Sequence, residues 1–179
     1  GRDEKGRKQY IYHAGWAQAR DQAKYSRLLP FAEALPDLRR QVDADLRGRK
    51  LTWDKVAAIA VDLLDKTRLR VGNPEYQRQN ESYGLTTLQD EHVEITGETL
   101  TFAFKGKSGK EHTIRLRDRR LARLVRQCQE LPGQELFQYQ DDDKSWRTLR
   151  SNDVNQYLRD ATGQDFSAKD FRTWGGTVT

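Results

Sequence analysis

The spacing of apolar residues changes twice along this chain, and those changes restrict its fold class more than any other feature. After Thr52, residues Val56, Ile59, Ala60, Leu63 and Leu64 recur at the three- and four-residue steps of one helical face. Thr52 is placed to cap that helix, which runs toward Arg70 before Gly72 and Pro74 interrupt it. From residue 92 the character shifts. HVEI (92–95), TLTFAF (99–104) and HTIRL (112–116) are rich in strand formers, with Gly97 between the first two and KGKSGK as a hairpin tip between the last two. Asp118 then leads a helix carrying Leu121, Leu124, Val125 and Cys128 on one face. Helices on both sides of one small antiparallel sheet predict an α+β, mainly helical domain.

The flanks are less regular. Residues 1–14 show no periodicity and read as an arm or linker. Trp16 to Arg27 is compatible with a helix that Pro30 closes, and Phe31 to Arg47 with a second that Pro36 ends or kinks. NPEYQRQN reads as a turn or short helix, and Glu135 to Arg150 as a loop holding LFQY and an acidic DDD run. A helix is expected from Ser151 through Val154, Tyr157, Leu158 and Ala161 to Gly163. A last one starts near Ser167 with Lys169, Phe171, Arg172 and Trp174. The length of 179 residues suits one domain. Charged residues reach 33% and hydrophobic ones only 35%, but four Trp, seven Tyr and six Phe allow a packed core and argue against uniform disorder. There is no run of apolar residues long enough to span a membrane and no signal-peptide pattern. The single cysteine, Cys128, cannot form an internal disulfide and points to a reducing compartment. On its apolar face it reads as a small core residue.

The net charge of +5 is unevenly distributed. Nine Lys or Arg stand between Lys105 and Arg126 against Glu111 and Asp118, and the opening GRDEKGRKQYIYH mixes four more with Tyr10 and Tyr12. Cations interleaved with aromatics suit phosphate contact combined with sugar or base contact. Several chemistries are excluded. There is no GxxxxGK[ST] loop, no GxSxG elbow and no HExxH, and Asp141, Asp142 and Asp143 are consecutive and cannot all converge on one metal site. No Cys/His cluster has zinc spacing, and three scattered histidines make a poor metal site. What remains is a set of cations at the ends of elements: Arg70, Lys107 and Arg172. Two guanidiniums can hold the non-bridging oxygens of a phosphodiester while a lysine protonates the departing alkoxide. Spacing alone leaves their convergence open.

Four segments, GRKQYIYH (6–13), RVGNPEYQRQNESYGLTTL (70–88), FKGKSGKEH (104–112) and KDFRTWGGT (169–177), together resemble type IB DNA topoisomerases of the bacterial and poxvirus group. They follow in order across nearly the whole chain. Tyrosine recombinases share the fold and a related active site and form the alternative, as does a non-catalytic DNA-binding module of the same fold. The resemblance implies a tyrosine that attacks the DNA backbone, forms a 3′-phosphotyrosyl link, lets the cut strand swivel and reseals it without ATP or metal. By motif, Arg70 and Arg172 clamp the scissile phosphate, Lys107 is the general acid for the 5′-oxygen and Lys169 supports the site. Lys5, Arg7, Gln9, Tyr10 and Tyr12 face duplex DNA, and Tyr76 and Thr87 touch backbone phosphates. The family's catalytic histidine and nucleophilic tyrosine lie beyond the KDFRTWG motif, and no histidine or tyrosine of this chain matches them. The methionine-free sequence is therefore expected to be an interior piece of a longer enzyme. Residues 1–14 would be the interdomain arm and 15–179 a catalytic domain incomplete at its C-terminal end and inactive alone. A β-rich N-terminal domain and a C-terminal tyrosine segment would complete it. The same resemblance implies a monomer acting in the cytoplasm at the nucleoid.

Overall fold

The computed structural model describes residues 14–178; the GRKQYIYH motif, with Lys5, Arg7, Gln9, Tyr10 and Tyr12, lies outside the described residues. Instead of two helices separated at Pro30, the chain opens on one helix, α1 (Ala14–Asp45), with Pro30 and Pro36 inside it. Each interior proline removes one N–H donor and costs about 3 kcal/mol relative to alanine. Tertiary burial outweighs that: Leu28, Phe31, Leu35, Leu38 and Val42 recur at helical spacing and are all buried. Each such side chain contributes about 1.5–3 kcal/mol.

These residues face a core organised around α2 (Trp53–Thr67), in which every residue from Lys55 to Leu64 is buried. Thr52 caps α2 as expected, its hydroxyl accepting from the Lys55 N–H at 3.3 Å. The helix stops short of Arg70, because Arg68 adopts left-handed backbone (φ 59) with its N–H bonded to the Leu64 carbonyl at 2.9 Å. A short helix, α3 (Pro74–Asn80), follows, capped by Asn73. Strands β1 (Val93–Thr96), β2 (Thr99–Lys105) and β3 (Glu111–Arg117) form an antiparallel sheet in that order. Leu100, Phe102 and Phe104 of β2 are buried. Helix α4 (Arg119–Gln129) is capped by Asp118, which accepts from the Leu121 N–H at 2.9 Å. Cys128 is fully buried on its inner face, and burial pushes the thiol pKa up to about 12. That makes it an inert core residue.

The segment read as a loop at 135–150 instead forms a hairpin of β4 (Gln138–Gln140) and β5 (Trp146–Thr148). Buried Leu136, Phe137 and Leu149 anchor its base, and the DDD run is its tip, closed by the Asp141 N–H to the Ser145 carbonyl at 2.9 Å. Helix α5 (Ser151–Thr162) ends at Gly163 (φ 69). Helix α6 (Ala168–Val178) packs against α1 and α2. Its Phe171 meets Phe31 edge-on at 5.1 Å between ring centres, and its Asp170 accepts two bonds from Arg27 of α1, at 3.2 and 3.0 Å. Both contacts fix the helix that carries Arg172. No helix among the described residues is long and apolar enough to cross a membrane.

Candidate active site

The segment that follows α2 is stitched to residues 85–86 by hydrogen bonds to its backbone. The Leu85 N–H donates to the Arg70 carbonyl and the Thr86 N–H to the Val71 carbonyl, both at 2.8 Å. The Thr86 hydroxyl adds a bond to the Val71 carbonyl at 2.7 Å. This leaves no space for a side chain at Gly84. A Cβ there would lie 2.5 Å from the Gly72 nitrogen and 2.9 Å from the Arg70 oxygen, both backbone atoms that cannot swing away. Gly72 itself has φ +90, a conformation that glycine adopts without a steric penalty. RVGN and SYGLTT are thus one structural unit, and α3 between them carries Tyr76, 55% exposed. Thr87, expected at a DNA phosphate, is 4% exposed. Its hydroxyl accepts from the Gly84 N–H at 2.9 Å and donates to the Gly84 carbonyl at 3.1 Å.

The same unit holds the hairpin that carries Lys107. The Tyr83 N–H donates to the Lys105 carbonyl at 2.8 Å, two residues before Lys107. The tip closes through the Gly106 N–H to the Lys110 carbonyl at 2.7 Å, with Ser108 in left-handed backbone. Lys107 is exposed at this tip. Beneath it runs a series of rings: Tyr83 to His92 at 4.3 Å, His92 to Phe104 at 6.4 Å and Phe104 to His112 at 5.4 Å. The His112 ring lies against Gly106, where a Cβ would come 2.6 Å from its Nε2. Burial lowers the His92 pKa, and its Nδ1 accepts from the Gln89 N–H at 2.9 Å, the pattern of a neutral imidazole.

Arg172 approaches from α6. It is exposed, yet its pKa is held below the ordinary value, first by partial burial and then by the like charge of Arg70. The two guanidiniums therefore share one neighbourhood. Lys169 is exposed one turn earlier on the same helix. Among the described residues, the side chains of Arg70, Lys107, Lys169 and Arg172 make no ion pair or hydrogen bond. Nor do three His, Cys, Asp or Glu side chains gather there as metal ligands would.

The sequence profile described as "Eukaryotic DNA topoisomerase I, catalytic core" matches residues 13–179. The chain belongs to the DNA topoisomerase I family. Among curated relatives, DNA topoisomerase 1B of Acanthamoeba polyphaga mimivirus is 34% identical over 182 residues, covering 99% of this chain and 54% of that protein. DNA topoisomerase 1B of Vaccinia virus (strain Copenhagen) is 32% identical over 115 residues, 63% of this chain and 36% of the viral protein. DNA topoisomerase 1 of Schizosaccharomyces pombe is 25% identical, with 95% of this chain and 20% of that protein covered. The chain thus spans about half the length of the mimivirus relative and less of the others. Topoisomerase I membership agrees with the resemblance of the four motifs to the poxvirus-like group.

A solved structure of the XerH site-specific recombinase bound to difH substrate superposes with a TM-score of 0.50 at 13% identity, covering 80% of this chain and 41% of that one. At that identity it shows the shared fold alone. Within this family member, sequence reasoning missed the close approach of Gly84 to Gly72, the seat of His112 on Gly106, and the placement of Arg68. The second crosses a single hairpin tip and the other two join separate segments, and no local signal marks any of them.

Proposed function

We propose that this chain is the phosphate-gripping part of the catalytic domain of a type IB DNA topoisomerase, which relaxes supercoiled duplex DNA by transient cleavage of one strand. The observation that supports this reading best is that Arg172 on α6 lies near enough to Arg70 for the like charge to lower its pKa, with no carboxylate among the described residues to take their charge. Two guanidiniums can donate to the two non-bridging oxygens of one phosphate and stabilise the charge that grows there during attack. In this reading a tyrosine oxygen bonds to phosphorus while the bond to the 5′-oxygen breaks, and Lys107 gives that oxygen its proton. The reverse step reseals the strand. Lys169 supports the site, and Tyr76 contacts a backbone phosphate. Thr87 acts one step back, holding the Gly84 turn against Arg70.

The arm at 1–14, with Lys5, Arg7, Gln9, Tyr10 and Tyr12, lies along the duplex, and residues 15–179 belong to the catalytic domain. The tyrosine and the histidine come from a segment beyond α6, and a β-rich domain closes over the other side of the DNA. The protein works as a monomer in the cytoplasm, on nucleoid DNA, without ATP or metal. With supercoiled plasmid, the chain is expected to bind with strongly salt-dependent affinity and to form no covalent adduct. An adduct on one of its own tyrosines would overturn the assignment of the nucleophile. Absence of duplex binding at low salt would overturn the reading itself. A tyrosine recombinase would instead assemble as a tetramer on paired sites, which sedimentation of the DNA complex distinguishes.

A further inference from the structure

Arg68 ends α2, and its side chain lies across the neighbouring helix α6 at Gly175. A Cβ on Gly175 would come 2.8 Å from the Arg68 Cζ and would collide with its Nε and Cδ. The absence of a side chain at Gly175 is what gives the guanidinium its seat. Gly175 lies three residues after Arg172 on α6, hence on a neighbouring part of the same face. Arg68 itself lies two residues before Arg70. Its guanidinium therefore sits between the two segments that supply the clamp. It makes no ion pair or hydrogen bond among the described residues, although Lys66, two residues earlier, is paired with both Asp62 and Asp118. A planar five-donor cation, exposed, seated by packing on Gly175 and left without an acceptor among the described residues, is arranged for a polyanion.

We infer that Arg68 is a third phosphate-binding residue, gripping the DNA phosphate next to the one held by Arg70 and Arg172, with Gly175 as its seat. The inference rests on the topoisomerase reading of the clamp. Its seat at Gly175, three residues along α6 from Arg172, offsets the third guanidinium from the clamped phosphate toward the neighbouring one. The bland alternative is a packing peg that locks α6 onto α2.

The test is fluorescence anisotropy of a short labelled duplex with this chain across a salt series, with thermal melting of every variant. Arg68→Ala is expected to weaken binding about tenfold at low salt and to reduce the slope of log affinity against log salt by about 1, with Tm nearly unchanged. Arg68→Lys should keep most of that slope. Gly175→Ala places a methyl in the guanidinium's seat while favouring the helix. It should weaken binding in the same direction, and the double variant should be no weaker than Arg68→Ala. Wild-type binding with Arg68→Ala unchanged in affinity and slope overturns the inference and leaves the topoisomerase reading standing. A fall in Tm with an unchanged slope identifies a packing peg and also overturns it. If the wild-type chain fails to bind duplex at low salt, both fall together.

Discussion

Lys66 and Arg68 stand two residues apart at the end of α2, yet their charges meet opposite surroundings. The Lys66 ammonium lies 2.7 Å from Asp118 and 3.2 Å from Asp62. Around it, Arg120 reaches Asp43 at 2.7 Å and Arg39 holds Asp65 through two bonds at 2.9 and 3.0 Å. All of these except Asp118 line one groove between α1, α2, α4 and α6. Further on, Arg68, Arg70 and Arg172 have no such acids among the described residues. The number of cations does not separate the two regions; the acids do. Where carboxylates are supplied, the cations tie helices together. Where they are withheld, like charges crowd each other and the site favours an anion from outside.

The comparison breaks if the clamp proves structural or the network proves functional. In a protein that carries the attacking tyrosine, Arg70→Ala or Arg172→Ala is expected to slow single-turnover strand cleavage by roughly 10²–10³-fold with Tm unchanged. Wild-type rates would place the clamp elsewhere. Asp118→Ala should do the reverse. It removes both the cap of α4 and a partner of Lys66, so urea unfolding should show a loss of about 1–2 kcal/mol. Duplex affinity should stay within about twofold on the scale where a tenfold change is about 1.4 kcal/mol.

Much of the framework was legible because its causes are local. The Thr52 and Asp118 caps, the apolar face of α2 and the β2–β3 hairpin each depend on residues a few positions apart. Helix α1 was not legible as one element, because the local rule for proline is overruled by burial of Phe31 and Leu35 against distant segments. The β4–β5 hairpin escaped because its strands are three residues long and half exposed, without alternation. At the site, Arg70, Lys107 and Arg172 could be named by resemblance, but nothing in their spacing brought Arg70 to Arg172. Thr87 was named at a phosphate by resemblance alone, and its burial against the turn at Gly84 is a product of the fold that no local pattern announces. Arg68 carried no signal at all, since its meaning lies in Gly175, more than a hundred residues away.

Smaller perturbations sharpen the same contrast. Gly176 is exposed on α6, four residues after Arg172, and a Cβ there would meet nothing within 4 Å. Gly176→Asp would give Arg172 the carboxylate that the clamp lacks. Duplex affinity should fall about threefold by anisotropy, and an unchanged affinity would mean that Arg172 does not face the DNA.

The smallest effect is a pH signature confined to the network. Burial works against the charge of Asp118, but the Leu121 N–H, Lys66 and Arg120 outweigh it and hold its pKa below the usual value. For Asp62 burial wins over Lys66 and Arg120, and its pKa is raised. The signs are opposite. Stabilisation by Asp118 is present above the unfolded carboxylate value of about 4 and is lost as pH falls through its lower folded pKa. The burden of charged Asp62 is relieved as pH falls through its raised pKa toward about 4, so stability gains slightly there. Asp62→Asn should remove that gain from a stability–pH curve while leaving the acid loss below about pH 4. Duplex affinity should follow neither change, because no carboxylate among the described residues pairs with the clamp. An affinity that shifted with Asp62→Asn in the same pH window would show the paired and unpaired regions to be one coupled unit.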